Sequence, residues 1–449
     1  MQNYLSMLSR SLLKSLLIIA LCLPHARTQA QTTSMSLTDA IQFALDNNPN
    51  IKVAQLQTAD AEWRIKESKA TGLPQIGVGI SYQYFIQRPG IPASALGFPG
   101  AGDTKIAFNA NHSLSPTLSV NQLFYSSTYR VALRAAEYYR QYVNEQLAVA
   151  RQTLRNQVID AYLPALLISE NLATLDKNLT NLDKLFSDTK AINQAGFAEQ
   201  LDVDRIDLSL STLRSERSNL ERQREIVVNA LKLTLGMPVN QELTLTDDVQ
   251  ELMTQYATTD LTAELNFMNR PEYLQLLRGR ELNTLQVELN SRPWIPTVAG
   301  FMQYQPGFQG GFGNDTKWFF IPSAVVGLSV NIPIWDGGGA KAREQRAVIG
   351  VQTIDAQKQL LENALTLELE NARRSYLNAS ERVSSQQKNL VLAQRIYDNT
   401  QIKYKAGVGS SFEVTQAEQQ LYTAQQNLMQ SQYDLLSAKT AVQKALGVR

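Results

Sequence analysis

The chain has 449 residues, of which 44% are hydrophobic, and its mean hydropathy is -0.23. Its formal net charge is +1 at pH 7. A chain of this length can bury sizeable cores in two or three domains, but its near-neutral balance offers no basic field, so nucleic-acid-binding proteins are excluded.

Residues 1–30 are predicted to be a secretory signal peptide. They contain bases but no acid, continue as the apolar run 16–23, and end in the small-residue cleavage pattern Thr28-Gln29-Ala30. The apolar run is far shorter than the ~20 residues of a transmembrane helix, which disfavours a membrane anchor. Cys22 is the only cysteine. Because Leu21 precedes it, where a lipidation motif has Gly or Ala, we expect neither lipidation nor thiol chemistry in the processed chain.

The rest of the sequence contains two copies of one unit. The matching pairs are Asn48-Pro49 with Arg270-Pro271, Pro74 with Pro296, Tyr82 with Tyr304, Leu118-Ser119-Val120-Asn121 with Leu328-Ser329-Val330-Asn331, Ala195-Gly196 with Ala406-Gly407, and Leu235-Gly236 with Leu446-Gly447. Such a duplication implies one structure with internal pseudo-symmetry. We expect a first repeat over residues 31–236, an equatorial segment over 237–269 and a second repeat over 270–449.

Helical segments open the first copy. Ser36-Leu37-Thr38-Asp39 is a capping-box pattern, and apolar residues follow it at helical spacing. Asn48-Pro49 breaks this helix, and a second helix runs to about Thr71. The sequence Gly72-Leu73-Pro74 then ends the helical region.

The periodicity next changes to two, which predicts strands with one apolar face and one small or polar face. Each copy has two such segments, separated by a Gly-rich loop. The strands are 76–84, 114–120, 298–304 and 318–334, and the loops are 88–103 and 307–316.

These strands would suit either a soluble sandwich or a transmembrane barrel. Aromatic residues near the strand ends favour the barrel, because aromatic belts lie at lipid–water boundaries. They are Tyr82, Tyr84, Phe124, Tyr125, Trp318 and Trp335. Two hairpins give only four strands, whereas the smallest single-chain barrels have about eight. Closure of a barrel would therefore need several chains.

A very long helix follows each hairpin. Nothing stops the helix over 127–195 except Pro164, which should only kink it, and the second-copy equivalent covers 340–406. At 1.5 Å per residue each helix is roughly 100 Å long. Apolar residues at three-and-four spacing indicate coiled-coil-like packing. A Gly turn then leads into a shorter helix, over 200–235 or 411–446.

This duplicated order of helix, strand, strand, long helix and helix resembles the outer membrane efflux protein family, typified by TolC. The resemblance covers essentially the whole chain after residue 30. It rests on the matching sequence pairs given above and on the turn sequence Ala406-Gly407-Val408-Gly409-Ser410-Ser411-Phe412-Glu413-Val414. It implies a mostly α fold with a membrane β-barrel. In such a homotrimer the three copies form a twelve-stranded barrel in the outer membrane and an α-helical barrel in the periplasm.

The resemblance also implies a function and partners. The chain would be a passive duct for efflux or type I secretion in a Gram-negative bacterium. It would join a periplasmic adaptor (membrane fusion protein) and an inner-membrane transporter, with outer-membrane lipid around the barrel. We expect no cofactor and no enzymatic activity from such a duct.

The periplasmic entrance is where the resemblance implies particular residues. Glu413 matches an aspartate of an acidic ring and Gln416 replaces a second one, so this entrance should be less anionic. Tyr404 matches a tyrosine that holds the closed state by a hydrogen bond to an aspartate, here Asp202. Gly409 stands where TolC has an arginine latch. The hairpin tips expected to dock the adaptor are Gly196, Gly407, Val408, Gly409 and Ser410. Each of these residues could instead belong to a solvated helix end.

Other motifs point less clearly to chemistry. Asp336-Gly337-Gly338-Gly339 lacks the Gly-Lys-Ser/Thr of a phosphate loop, and His112 lacks a nucleophile elbow. Asp202, Asp204 and Asp207 lack the glycine and terminal glutamate of a calcium loop. We therefore expect no catalytic or metal site. A non-conducting coiled-coil or adhesin-type surface protein is the alternative function. The strand hairpin that occurs twice, in the middle of each copy, favours the duct.

Overall fold

The computed structural model describes residues 33–97, 105–107, 109–255, 261–311 and 317–447. The predicted signal peptide lies outside these residues. The helices are α1 (Leu37–Asn47), α2 (Pro49–Ala70), α3 (Ser127–Gln194), α4 (Gln200–Leu235), α5 (Val249–Gln255), α6 (Pro271–Ser291), α7 (Gly339–Lys405) and α8 (Ser411–Leu446). The strands are β1 (Thr33–Met35), β2 (Gln75–Tyr84), β3 (Gly90–Pro92), β4 (Lys105–Ala107), β5 (His112–Tyr125), β6 (Leu243–Leu245), β7 (Thr297–Gly310) and β8 (Phe319–Asn331).

The predicted capping box begins α1. The Ser36 hydroxyl accepts a hydrogen bond from the Asp39 N–H at 3.2 Å, and the Asp39 carboxylate accepts one from the Ser36 N–H at 3.3 Å. This exchange satisfies two backbone donors that a helix start leaves without partners. Asn48 is extended, with ψ 128°, because the following proline disfavours the helical region. The predicted break is confirmed, and α2 starts afresh at Pro49.

The two long helices agree with the predicted bounds to within one residue. α3 continues through Pro164 without a break. Among the described helices, α3 is the one that contains an 18-residue window apolar enough to cross a membrane, with a mean hydropathy of 1.3. Residues beside the proline, such as Tyr162 and Ala165, are fully buried in the protein. A buried core helix has this composition as well, and 39% of the apolar window is buried inside the protein.

Four strands form one antiparallel sheet in the order β2-β5-β7-β8. Two short pairs, β1 with β6 and β3 with β4, stand apart from it. β3 lies within the first predicted Gly-rich loop, 88–103, and β4 begins just after that loop. Among the described strands, β2 and β8 each have a neighbour on one side only. The sheet therefore ends in two open edges, as the count of four strands predicts.

β7 is longer than the sequence predicts, and the expected loop over 307–316 is wrong in its first part. β7 continues to Gly310, which pairs with His112 of β5. The rings of Phe308 and Phe320 pack with their centroids 5.2 Å apart on neighbouring strands. Such cross-strand aromatic pairs stabilise strand pairing. The glycines suggested a loop, but pairing with β5 and β8 extends the strand through them.

The sheet has one strongly apolar face. Its cross-strand rows are Ile76, Val120, Met302 and Val326, followed by Val78, Leu118, Tyr304 and Ala324. Ile76 is 70% exposed and Val326 is 82% exposed. The opposite face carries more small and polar residues, in rows such as Gly77, Ser119, Gln303 and Val325, although Phe301 also lies on it. An exposed apolar surface of this extent marks a contact with a partner or with lipid rather than the outside of a soluble sandwich.

The chain forms two compact units. The first consists of the described residues up to Asn48, of Gln157–Ala257 and of Ser384–Tyr433. Its core lies where α3, α4, α7 and α8 pack together, and its most deeply buried side chains are Leu175, Leu182, Ile206, Leu210 and Val414. The second unit contains the four-stranded sheet and a smaller cluster formed by Leu369, Ala372, Val442 and Ala445.

The two copies end their last helices in the same way. Gly236 and Gly447 both follow a helix with positive φ, 77° and 70°. In the first copy the Asn48 side-chain amide donates to the Thr234 carbonyl at 2.8 Å. In the second copy the buried Arg270 donates to two last-turn carbonyls of α8, at 2.8 Å and 3.0 Å. The residue before each repeated proline therefore satisfies carbonyls that a helix end leaves without partners.

Candidate functional site

The α3–α4 and α7–α8 hairpins turn in the same manner. The turn hydrogen bonds run from the Gly196 N–H to the Asn193 carbonyl (2.8 Å), Phe197 to Ile192 (3.0 Å), Gly407 to Tyr404 (3.0 Å) and Val408 to Lys403 (3.1 Å). This is the Schellman motif, which favours glycine because its turn residue has positive φ. Gly196 has φ 81° and Gly407 has φ 74°. The next residue projects outward in each turn: Phe197 is 86% exposed and Val408 is 78% exposed.

Gly409 and Ser410 complete the second turn. A Cβ atom on Gly409 would lie 3.0 Å from the Tyr404 backbone nitrogen, so the turn leaves little room for a side chain there. The Ser410 hydroxyl accepts a hydrogen bond from the Glu413 N–H at 3.3 Å, and Ser410 therefore caps α8. These two residues shape the start of α8.

Two side-chain contacts connect the first hairpin to the second near these turns. The Tyr404 hydroxyl donates to the Thr189 hydroxyl at 3.3 Å, and the Ser411 hydroxyl donates to the Asp202 carboxylate. The predicted hydrogen bond between Tyr404 and Asp202 is therefore not formed within the described chain. Thr189 and Ser411 are fully buried. Because buried hydroxyls need hydrogen-bond partners, Thr189 bonds Tyr404 and Ser411 bonds Asp202.

The surroundings of Tyr404 favour the protonated form of its hydroxyl group. Burial raises the pKa of the half-buried Tyr404, the hydrogen bond with Thr189 opposes this, and the charge of Asp202 raises the pKa again. The Tyr404 hydroxyl thus stays protonated at neutral pH. Arg205 adds a further contact, because its guanidinium lies 3.5 Å from the Ser411 hydroxyl and 5.8 Å from the centre of the Phe412 ring.

Glu413 and Gln416 are both exposed on α8. Gln416 lines a groove of about 530 Å³ between α7 and α8. The other lining residues are Gln386, Asn389, Leu392, Ala393, Ile396, Gln419, Gln420, Thr423, Ala424 and Asn427. Side-chain amides in this groove can donate and accept hydrogen bonds without a formal charge. The less anionic entrance stays a prediction.

Sequence reasoning missed several residues at this end of the first unit. Thr189, Arg205 and Ser411 make the contacts between hairpins, and Phe197 and Phe412 expose apolar surface. In a single sequence, a hydroxyl or a basic residue on a helix does not indicate that it contacts a neighbouring helical hairpin. The exposed Phe197 could have been found, because it occupies the same place after the turn glycine as Val408.

The remaining motifs have structural roles. The Asp336 carboxylate accepts hydrogen bonds from the Ala340 N–H at 2.7 Å and from Arg343 at 2.9 Å, so it caps α7. His112 Nδ1 and the Tyr82 hydroxyl share a hydrogen bond of 2.6 Å. Asp204 accepts a hydrogen bond from the Gln200 side chain at 2.8 Å. The described part of the chain contains no group of three or more His, Cys, Asp and Glu side chains that could hold a metal ion together.

Comparisons with known proteins agree on one family. The family model described as "Outer membrane efflux protein" matches residues 40–237 and 284–448. The chain is 25% identical to the pyoverdine export outer membrane protein OpmQ of Pseudomonas putida, over 95% of this chain and 89% of OpmQ. It is 21% identical to the proteases secretion protein PrtF of Dickeya chrysanthemi, over 94% of this chain and 89% of PrtF. The crystal structure of the outer membrane protein VceC from Vibrio cholerae matches with a TM-score of 0.69 at 17% identity, over 92% of this chain and 96% of VceC, which shows a shared fold.

Proposed function

The chain belongs to the outer membrane efflux protein family, and we propose that three copies of it form a passive duct through the outer membrane. It is an outer-membrane component of an efflux or secretion system of a Gram-negative bacterium. Its fold is that of TolC-like outer-membrane channels, and its family consists of channel and transport proteins.

The four-stranded sheet is the observation that carries the proposal. A sheet edge in lipid leaves backbone groups without partners, so strands cross a membrane only in closed barrels. β2 and β8 are open edges of the described sheet, and four strands are about half of the smallest single-chain barrel. A ring of three copies would pair β2 of each copy with β8 of the next and give twelve strands.

The two faces of the sheet support a water-filled interior. The exposed apolar face, with residues such as Ile76 and Val326, suits acyl chains. The opposite face, with Gly77, Ser119 and Gln303, can line an aqueous lumen. A barrel of about twelve strands is wider than the small barrels whose interior is filled by side chains. Solutes could pass through such a lumen by diffusion, without a chemical step.

The partners in this proposal are a periplasmic adaptor and an inner-membrane transporter. OpmQ is named for pyoverdine export and PrtF for secretion of proteases, and an outer-membrane duct serves such transport only if something delivers cargo to it. The exposed Phe197 and Val408 at the hairpin turns offer apolar surface for an adaptor. Gly196, Gly407, Gly409 and Ser410 would hold that surface in shape.

The alternative, a non-conducting surface adhesin, is not favoured. The family match covers both copies, and each copy contributes one hairpin to a single sheet.

The oligomeric state tests the proposed architecture. The mass of the purified protein in detergent, measured by light scattering with the detergent contribution subtracted, should be that of three chains. The circular dichroism of the same sample should show the helix content expected of the long helices, which controls for folding. A well-folded protein that stays monomeric at every concentration would contradict the proposal, because its sheet edges would then be satisfied in another way.

A further inference from the structure

A small polar cavity lies inside the first unit, away from the hairpin turns. Its volume is about 200 Å³, and α3, α7 and α8 surround it. The side chains that line it include Thr174 and Asn178 of α3, Gln394 and Tyr397 of α7, and Glu418 and Gln425 of α8. Leu421 is the one aliphatic residue among its lining residues. The lining combines polar groups with hydrocarbon, and three of the lining residues, Lys177, Asn181 and Gln394, are exposed, so that water and small ions can enter the cavity.

Glu418 is the unusual group in this cavity. It is only 7% exposed, and among the described residues none forms a hydrogen bond or an ion pair with its carboxyl group. Tyr397 is close enough that, after burial, the charge of Glu418 is the next cause that raises the Tyr397 pKa, to about 12. Burial alone raises the pKa of Glu418 to about 7. A carboxylate in such a place is unfavourable unless it is paired.

The other lining groups have oxygen atoms to spare. The Asn178 amide nitrogen donates to the Gln425 oxygen at 2.7 Å, which leaves the Asn178 oxygen as an acceptor. The Gln394 amide nitrogen donates to Asp398 at 2.9 Å, which leaves the Gln394 oxygen as an acceptor. The hydroxyls of Thr174 and Tyr397 add two more oxygens, and the Tyr397 hydroxyl also accepts a long hydrogen bond from the Gln401 side chain at 3.4 Å. The cavity thus combines one buried carboxyl group with several neutral oxygen ligands.

We propose that this cavity binds one small monovalent cation, an alkali-metal ion or a primary ammonium ion, against the Glu418 carboxylate. One carboxylate balances one positive charge, and amide and hydroxyl oxygens complete the shell of a hard cation. Divalent ions are disfavoured, because their sites commonly gather two or more carboxylates, whereas the described lining residues offer Glu418 alone. Binding releases the carboxyl proton wherever Glu418 is protonated beforehand, so the affinity rises with pH.

Two other titratable side chains face the cavity. Tyr397 stays neutral in the relevant range. Lys177 of α3 also lines the cavity, and its side chain is exposed. No ion pair between Lys177 and Glu418 exists in the described chain, but the ammonium group of Lys177 is the one competitor that the protein itself supplies. No residue of α4 is among the lining residues.

Bound cation should hold α3, α7 and α8 together. A ligand that binds only when the three helices are packed together lowers the population of the locally opened state by the factor 1 + [L]/Kd. This factor is about 100 at a ligand concentration one hundred times Kd. This stabilisation acts inside one protomer and is independent of the proposed duct. The proposal can therefore fail while the function stands.

Hydrogen exchange of the full-length protein in detergent tests the site. Samples at about pH 8 and constant ionic strength would contain choline, potassium, sodium, ammonium or methylammonium as the only monovalent cation. Backbone amides around Tyr397 and Glu418 should exchange more slowly in at least one of the small cations than in choline, by up to the factor above. Rubidium soaked into crystals should give an anomalous peak beside Glu418.

The control variants decide between outcomes. Glu418→Gln should remove the cation effect, whereas Asp188→Asn, which neutralises an exposed carboxylate in the same unit, should keep it. A cation effect of equal size in Glu418→Gln would overturn the proposal, as would the absence of any effect in the wild type. If the cation effect is seen only after Lys177→Met, Lys177 fills the cavity and the proposal is wrong.

Discussion

At the hairpin turns, two hydroxyl contacts of unequal strength connect the two halves of the first unit. Ser411 donates to a carboxylate, whereas Tyr404 donates to the neutral hydroxyl of Thr189 at 3.3 Å, which is long for an O–H···O bond. A hydrogen bond to a charged acceptor contributes about 1.5–3 kcal/mol and a neutral one about 0.5–1.5 kcal/mol. In the proposed duct, whose entrance lies at these turns, the closed state should therefore depend more on the Ser411 contact than on the Tyr404 contact.

This ranking predicts the effects of two substitutions. Ser411→Ala should raise the resting conductance of the channel and speed hydrogen exchange at the start of α4 more than Tyr404→Phe does, at equal trimer yield. Thr400→Ala is the matched control, because the Thr400 hydroxyl bonds only a carbonyl of its own helix. If Tyr404→Phe has the larger effect, the ranking is wrong, and if neither changes conductance, the gate lies elsewhere.

The exposed acid of α8 predicts the ion selectivity of the entrance. If Glu413 faces a narrow axis in a trimer, three carboxylates focus a negative potential there. Glu413→Gln should then lower the cation preference measured from reversal potentials in a salt gradient. Gln416→Glu is the reciprocal variant and should raise it. Selectivity that stays constant in both variants would show that these side chains do not face the lumen.

Glu418 predicts a pH dependence of stability. Because the pKa is raised from 4.5 to about 7 in the folded protein, the folded state holds the proton more tightly than the unfolded state. The stabilising contribution, about 3 kcal/mol, is therefore complete below pH 4.5 and is lost as the pH rises to about 7. Denaturation of the helical part in buffers without small monovalent cations should show this fall. Glu418→Gln should flatten it, whereas an unchanged slope in that variant would assign the titration to another group.

Residue roles were the least predictable feature of this chain. The resemblance placed the entrance residues at the hairpin turns, which stays a prediction, whereas the partners of Tyr404 and Asp202 depend on how each helix is rotated in the packed unit. That rotation follows from the summed packing of core residues such as Leu210 and Val414 rather than from any local motif. The burial of Glu418 could not be predicted for the same reason, since a glutamate among glutamines is typical of a solvated helix face.

The elements were predictable because local chemistry fixes their ends. Ser36 and Asp39 begin α1, a proline begins α2, and positive-φ glycines end α3, α4, α7 and α8. The error at β7 has the opposite cause. Its glycines signalled a loop, but the Phe308–Phe320 pair and the two neighbouring strands determine the structure there. Pairing between distant strands is a property that a local pattern does not contain.

The two faces of β2 allow a matched test of the proposal that the sheet spans the membrane. Val78 lies on the apolar face, and Gly79, next to it, points to the opposite face, where an added Cβ would meet no atom within 4 Å. Val78→Arg should lower the yield of folded trimer, because arginine facing the bilayer midplane costs about 2–4 kcal/mol. Gly79→Arg should fold and instead alter conductance. Equal losses of trimer in both variants would mean that the apolar face does not contact lipid.

The whole molecule combines a duplicated chain with an incomplete sheet. Each copy supplies one β-hairpin, one very long helix and one shorter helix after it. In each copy, the side chain before the repeated proline, Asn48 or Arg270, bonds a carbonyl at the end of the last helix. Duplication doubles the strands to four, which is still too few to close a barrel. In the proposed duct, several chains would therefore have to assemble to close the barrel, and the strands of three chains would leave a central opening.

Single-channel recording in a planar bilayer tests the central claim, that the assembled chain is a passive duct. Purified trimer should produce discrete current steps that need neither nucleotide nor a second protein, and Ser411→Ala should increase their size or their frequency. Protein that is shown to have inserted as a trimer, but that gives no current steps at any applied voltage in either the wild type or Ser411→Ala, would contradict the account.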